Sequence, residues 1–538
     1  MEWPYDPHEV EDRWRRRWDA ERTYHVDLRA ARREDVFYNL AEFPYPSAEG
    51  LHVGHVFRYG GLDALGRYMR MRGRAVFQPI GFDSFGIHTE NYALRIGEHP
   101  AEVTARTIAT FRRQLSSVGI AWDWSRSLVT SDPSYYRWTQ WVFIRLLRAG
   151  LAYQADAPVT WCPSCMTVLA REQVEGDRCE RCDTQVTERV MRQWFLRTTA
   201  FADRLLDGLG GLDWPQRARR LQREWIGRTA GEDGEARYRL HDWLISRQRY
   251  WGPPIPVVHC PGCGAVPVPD DELPVVLPFV EDVRPTGTGE SPLAGAEEWV
   301  STTCPSCGGP GRRETDVSDT FFDSAWYFLR YPSADVDDRP WDEDLTARVL
   351  PVDFYAGGPE HVARHHLYAR FVTMALHDLR LLPFAEPFPR VRLGGFIVRS
   401  GAKMSKSRGN VVDPDDYLAA SGADVLRTFL LFSGPWEQGG EFSDQARAGV
   451  ERFFARLWRR ATERPDGPVD GVLVDQVSRA IETLRFNVAI ATLMGAVRTA
   501  DARMLTLLMA PFAPHLAEEL WCRLGGSGSV HTQPWPGA

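Results

Sequence analysis

Of the 64 Lys/Arg positions in this chain only two are lysine, and both stand in one pentapeptide, Lys403-Met404-Ser405-Lys406-Ser407. Lysine is a compact point charge on a flexible stem and follows a moving phosphate; arginine's planar fork suits a fixed bidentate partner. With Gly401 before it and Gly409 behind it, the pentapeptide reads as a mobile loop that grips phosphate. Far upstream, the apolar run Val36 to Leu40 leads into His52-Val53-Gly54-His55 and a helical pattern to about Arg72. A strand entering a glycine-bearing turn that opens a helix is a common phosphate-binding arrangement. Gly54 lets a ligand approach the backbone, and His52 and His55 offer donors to phosphate oxygens. A pair of histidines that merely cap the helix is the competing reading.

Eight of the nine cysteines form four C-x-x-C pairs: Cys162/Cys165, Cys179/Cys182, Cys260/Cys263 and Cys304/Cys307. The first two pairs have zinc-ribbon spacing; the last two are separated by a wider loop. Four thiolates close a tetrahedral site, so each zinc would be structural, with no open coordination position. Disulfides compete poorly in a chain that reads as cytoplasmic. No apolar run reaches membrane-spanning length, and the aromatic, charged N-terminus is unlike a secretory signal. The net charge of −8 argues against indiscriminate nucleic-acid coating. Arg217, Arg219, Arg220, Arg223 and Arg228 nonetheless cluster in one segment.

These groups need elements to hold them. The pattern predicts an Arg-rich helix over 10–33, strands at Val36–Leu40 and Ala75–Pro79, and helices over Ala101–Val118 and Tyr136–Ala149. It predicts a strand before Gly357-Gly358, a helix from Glu360 to about His377, and one strand over Val391–Val398 that delivers the lysine loop. From about 422 onward the pattern is helical, with apolar stripes at Phe453 to Trp458 and Met504 to Leu524. Two half-sheets, one bearing H-x-G-H and the other the lysine loop, imply one composite site at the carboxyl ends of the strands.

Together the two signatures resemble the pair that marks class I aminoacyl-tRNA synthetases. The intervening sequence narrows the resemblance to the leucyl branch: Phe43-Pro44-Tyr45-Pro46-Ser47, Trp161-Cys162-Pro163, Trp225-Ile226-Gly227-Arg228, Asp242 through Gly252, Thr320-Phe321-Phe322-Asp323-Ser324, Gly358-Pro359-Glu360-His361 and Ala513 through Trp521. The resemblance implies an α/β fold: a Rossmann-type parallel-sheet catalytic domain split by insertions, two four-cysteine zinc modules and a C-terminal α-helical bundle. The catalytic halves would be 1–160 and 313–421, with a zinc ribbon at 161–190. A connective segment would occupy 191–254, a second zinc-type module 255–312 and a shortened anticodon-binding-like bundle 422–538.

The implied chemistry has two steps. An amino-acid carboxylate attacks the α-phosphate of ATP and releases pyrophosphate; a terminal ribose hydroxyl of tRNA then takes the acyl group. By resemblance His52, His55, Lys403 and Lys406 are catalytic and embrace the triphosphate with Mg²⁺, and Gly54, Met404 and Ser405 complete the ATP site. Asp83 matches the residue that holds the α-ammonium. Phe43, Tyr45, Phe322, Ala325, Phe328, His361 and His365 map onto the amino-acid pocket.

Departures from the family pattern are concentrated. In the family a whole editing domain lies between the counterparts of Arg228 and Asp242; here only residues 229–241 do, and the threonine-rich hydrolytic motif is missing. The family's C-terminal tRNA-elbow domain is expected to have no counterpart. In the pocket, Phe82 stands for Trp, Ala325 for Ser, Phe328 for Tyr, Ile87-His88-Thr89 for Leu-Pro-Ala and Arg58 for Asn. Arg364 and His366 replace apolar residues. Three readings follow. The first is a ligase charging tRNA with leucine or a related side chain, without editing and with weakened tRNA binding. The second is a paralogue that passes its adenylate to a carrier protein, a small molecule or a dedicated tRNA. The third is a non-catalytic tRNA-binding regulator. Intact signatures argue against the third, and the resemblance supports the first directly.

Overall fold

Val36–Ala41 (β1) is buried along its whole length, as a strand covered on both faces must be. It pairs in parallel with Ala75–Phe77 (β2) on one side and Phe354–Gly357 (β3) on the other; Val391–Leu393 (β4) extends the sheet beyond β3. The order is therefore β4-β3-β1-β2, with Val36 opposite Ala75 and Asn39 opposite Phe354. Two strands come from each side of the cysteine modules, so one sheet is assembled from two distant halves. The strand order reverses between β1 and β3, and the crevice outside the carboxyl ends at such a point is where open α/β sheets bind ligands. This computed structural model describes residues 5–46, 50–169, 173–231, 235–399, 401–403 and 411–537.

Helix Val53–Met71 packs on the sheet and buries Asp63 and Arg67 on its inner side. Asp63 takes Arg67 at 2.8 Å and Arg427 of helix Ala423–Phe432, all three fully buried. That triad fastens the C-terminal helices to the catalytic sheet. An antiparallel ribbon, Ala152–Cys162 with Thr187–Leu196, carries the first cysteine module at its tip. The second module is a four-stranded antiparallel sheet of Val257–Cys260, Gly264–Pro267, Ser301–Thr303 and Pro310–Arg313. Helix Gln216–Ile226 ends at Gly227, whose φ of 60° is the left-handed conformation of a helix stop. A short hairpin, Thr229–Ala230 with Ala236–Arg237, follows, and the chain returns to the ribbon at Trp243–Leu244.

Three expectations are corrected. The N-terminal helix runs only from Pro7 to Ala20, and Arg22 at φ 52° marks its end. Trp14 and Trp18 on this helix are buried, donating to Glu519 and Glu518 near the C-terminus. Val391–Val398 is two strands, because Gly394-Gly395 breaks the run; a Cβ on Gly395 would lie 2.1 Å from the Gly439 nitrogen. The stripe at 504–524 is two helices, Ala502–Met509 and Pro514–Arg523, since Pro511 and Pro514 interrupt the ladder. Among the described residues no helix is long and apolar enough to cross a membrane.

Candidate active site

β1 delivers Glu42-Phe43-Pro44-Tyr45 into the crevice, and helix Val53–Met71 begins beside them. His52 caps that helix: its Nδ1 accepts from Gly54 N at 3.1 Å, while His55 Nδ1 accepts from His52 N at 3.2 Å. The rings lie 4.0 Å apart and both line the cleft. Capping and cleft-lining are thus one arrangement rather than rivals. A side chain on Gly54 would collide with the His52 ring at 2.7 Å. Val53 N donates to Val412 O at 3.1 Å, and Val411 lines the cleft, so the exit of the lysine loop is tied to the first turn of this helix. Lys403 ends the short strand Ala402–Lys403, paired with Val398. Its side chain lies outside the described residues, as do Met404, Ser405 and Lys406.

The cleft encloses about 700 Å³ and is lined by Phe43, Tyr45, His52, His55, Arg58 and His361 among others. Asp83 sits behind its wall, 1% exposed. Thr320 Oγ1 donates to Asp83 Oδ1 at 2.9 Å, and the Asp83 backbone N–H donates to Pro44 O at 3.1 Å. Burial pushes the Asp83 carboxyl up to about 7, against the hydrogen bonds from Thr320 and Tyr45. A carboxylate this desolvated gains from a cation, as the α-ammonium assignment requires.

Sequence reasoning passed over Glu42. Its carboxylate pairs with His361, accepts from Gly358 N at 2.8 Å and lies 3.9 Å from Arg58, which also reaches Glu360 at 3.8 Å. Burial alone would raise Glu42, but His361 and then Arg58 hold it below the ordinary carboxylate range. Burial opposes charge on His361 in turn, and Glu42 raises it above the usual imidazole value. The cleft floor therefore carries fixed charges. Only a lone acid directly after β1 hinted at this in the sequence.

Phe322, Ala325 and Phe328 are fully buried in the packed core, and none of them lines either cavity. Phe321 lines the wall, and Tyr327 stacks beneath Phe43 with centroids 4.0 Å apart and planes 8° from parallel. His365 lies behind His361 with ring centroids 6.2 Å apart. Burial first and then His361 hold it at about 3, and burial, with His365 next, pushes His366 well below the usual imidazole value. A second cavity, about 340 Å³, opens from the first past Tyr45, His88, Arg181 and His361.

The thiols of Cys162, Cys165, Cys179 and Cys182 lie within 4.8 Å of one another, and so do those of Cys260, Cys263, Cys304 and Cys307. Cys162 and Cys182 sulfurs are 3.4 Å apart, Cys165 and Cys179 4.0 Å, Cys260 and Cys307 3.7 Å. All are free thiols. Sulfurs about 2.3 Å from a tetrahedral zinc stand at about these separations, so both sets fit the ion.

The family model for tRNA synthetases class I (I, L, M and V) matches residues 13–440, and that for the anticodon-binding domain of tRNA ligase matches 502–538. Leucine--tRNA ligases of Dehalococcoides mccartyi and Thermotoga maritima are each 34% identical, over 99% of this chain and 91% of theirs. The Agrobacterium radiobacter K84 agnB2 LeuRS, solved in a ternary complex with tRNA and LeuAMS, superposes with a TM-score of 0.93 at 30% identity, covering 99% of this chain and 90% of that one. A Mycobacterium tuberculosis methionyl-tRNA synthetase shares the fold at a TM-score of 0.65 and 19% identity. The parallel sheet with its reversal at β1, the capped H-x-G-H helix at that crevice and these matches agree: the chain belongs to the class I aminoacyl-tRNA synthetases, among the leucine--tRNA ligases.

Proposed function

We propose that the protein activates an amino acid with ATP and passes the acyl group to tRNA, without editing. The observation that supports this reading is the His52/His55 pair on the cleft wall with Asp83 directly behind that wall, its backbone bonded to Pro44, which lines the cleft. An α-ammonium held at Asp83 turns the substrate carboxylate toward the helix N-terminus, where the α-phosphate would lie. With their Nδ1 atoms accepting from backbone N–H groups, His52 and His55 keep Nε2–H as the donor for negative charge there, beside the positive end of the helix. No covalent enzyme intermediate is needed, so rate comes from positioning and from charge stabilisation on the phosphoryl oxygens. By resemblance Lys403 and Lys406 are assigned to the triphosphate. Mg²⁺ bound with ATP would supply further neutralisation of the triphosphate. Zinc in the two cysteine sets would hold the modules folded.

The absence of editing is supported by the short hairpin that joins Gly227 to Trp243, and by alignments to the relatives that run over 743 positions against 538 residues here. For tRNA as acceptor the support is the anticodon-binding match and the outward Arg217, Arg220 and Arg223 of helix Gln216–Ile226. The amino acid is leucine or a related side chain by kinship, but Glu42, Arg58 and His361 favour a polar one. A carrier protein or small molecule remains the alternative acceptor. Amino-acid-dependent ATP–pyrophosphate exchange tests the first step, and acid-stable charging of total tRNA tests the second.

A further inference from the structure

Glu42 stands one residue beyond β1, at the carboxyl edge of the sheet where its two halves meet. Its N–H continues the register with β3 by donating to Ala356 O at 3.0 Å, and one carboxylate oxygen accepts from Gly358 N at 2.8 Å. The other oxygen takes Nε2 of His361, at the end of the short turn Pro359–His361. The carboxylate is fixed from both strands, since turning away would leave the buried Gly358 N–H unpaired. A charged imidazole has two N–H donors. With Nε2–H given to Glu42, Nδ1–H is the donor this ring has for a ligand. Burial opposes charge on the ring; Glu42 and then Glu360 outweigh it, against Arg58. Of the other groups around it, burial holds His365 and His88 each at about 3, and Arg181 is paired with Glu180.

His361 also marks a boundary. It lines the larger cavity with His52 and His55, and the smaller one with Thr320, whose hydroxyl holds Asp83. An amino acid with its ammonium at Asp83 and its reacting oxygen at the α-phosphate spans that boundary, and the group in the middle is its α-carboxylate. We propose that Glu42 is a positioning residue: it holds His361 as a charged donor at the junction of the two cavities, where His361 receives the α-carboxylate of the substrate. The imidazole keeps its proton. One carboxylate oxygen accepts from Nδ1–H while the other bonds to the α-phosphorus, the bond from that phosphorus to the bridging oxygen breaks, and pyrophosphate leaves with the electron pair. A hydrogen bond between two charged groups is about twice as strong as a neutral one. It asks nothing of the side chain, so it suits leucine. This rests on the adenylation reading above and adds the residue that sets the orientation of its nucleophile.

The test compares leucine with leucinol, which keeps the ammonium and the side chain and replaces the carboxylate by a neutral alcohol. Affinity for each is measured by calorimetry without ATP, across pH, in wild type, Glu42→Gln and Glu42→Asp. The ratio of the two affinities cancels the titration of Asp83, which both ligands share, and reads His361. Wild type should prefer leucine, and the preference should fade as pH rises and the ring loses its proton. In Glu42→Gln the amide can accept from Gly358 N and donate to His361, but no carboxylate opposes burial, so the ring is neutral. Leucine should then weaken at least about tenfold at neutral pH while leucinol changes less than about twofold. The fade should move to lower pH by at least about one unit, and Glu42→Asp should keep part of the preference. In pyrophosphate exchange the loss should fall on KM for leucine more than on kcat. Should Glu42→Gln fail to fold, His361→Gln takes its place, and its ratio should be flat with pH. Equal weakening of both ligands makes Glu42 structural and overturns the proposal. So does a wild type that binds leucinol as well as leucine, or a ratio that neither variant moves. Binding of leucine without exchange defeats the adenylation reading instead, and the ratio still decides the role of Glu42.

Discussion

Thr320 donates its hydroxyl to Asp83 at 2.9 Å across 237 positions of sequence, and this bond ties two distant segments together at the residue proposed to anchor the substrate. Because burial holds Asp83 at about 7, its charge is available only above neutrality. The KM for the amino acid should therefore rise as pH falls below about 7, by up to about tenfold per unit. Asp83→Asn should raise KM about ten- to a hundredfold and flatten that profile. Stability runs the other way: the native state holds this proton more tightly than the unfolded chain, so the contribution is full at acid pH and fades as pH rises through about 7. Steady-state exchange kinetics across pH checks the first, and a flat wild-type profile would remove Asp83 from its role.

Lysine should not be replaceable in the phosphate loop. Lys406→Arg is expected to lower the adenylation rate at least about tenfold, about 1.4 kcal/mol of transition-state stabilisation, with amino-acid affinity little changed. Lys403→Arg should follow more mildly. Single-turnover exchange at wild-type rate in both variants would refute a need for lysine.

Metal analysis of freshly purified protein should find two zinc ions per chain. Cys162→Ser should lose one and loosen the ribbon tip at Cys162–Cys182, while the protein that survives keeps its exchange activity. Protein without zinc, or a Cys162–Cys165 disulfide in mass spectra, would refute both sites.

Asp63 is the joint between the catalytic helix and the C-terminal helices. Burial opposes its charge, but Arg67 and Arg427 hold its carboxyl below the ordinary range. Its contribution to stability is thus present at neutral pH and lost on acidification. Asp63→Ala leaves two buried guanidiniums unpaired and should cost about 3–5 kcal/mol. Denaturant titration measures this; a loss under about 1 kcal/mol would show that water reaches the triad.

What was legible from sequence followed from local spacing. H-x-G-H after an apolar run opens a helix, and the C-x-x-C pairs gather in two sets, where the motifs put them. What was not legible depended on contacts between distant segments. Glu42 acquires meaning only when His361 folds beside it, and Arg181 only when the ribbon brings the module over the crevice. That Phe321 and not Phe322 faces the smaller cavity depends on how one short helix, Thr320–Ser324, is turned in the fold. Element ends fell where glycine or proline acted: Gly394-Gly395 divided one expected strand, and Pro511 with Pro514 divided the apolar stripe between two helices.

The most direct test of the account is pyrophosphate exchange with every proteinogenic amino acid in turn, first without tRNA and then with it. The account predicts robust exchange with one amino acid or one chemically related set in the absence of tRNA, lowered about five- to fiftyfold in Asp83→Asn at substrate levels near the wild-type KM. No exchange with any amino acid under either condition would contradict it.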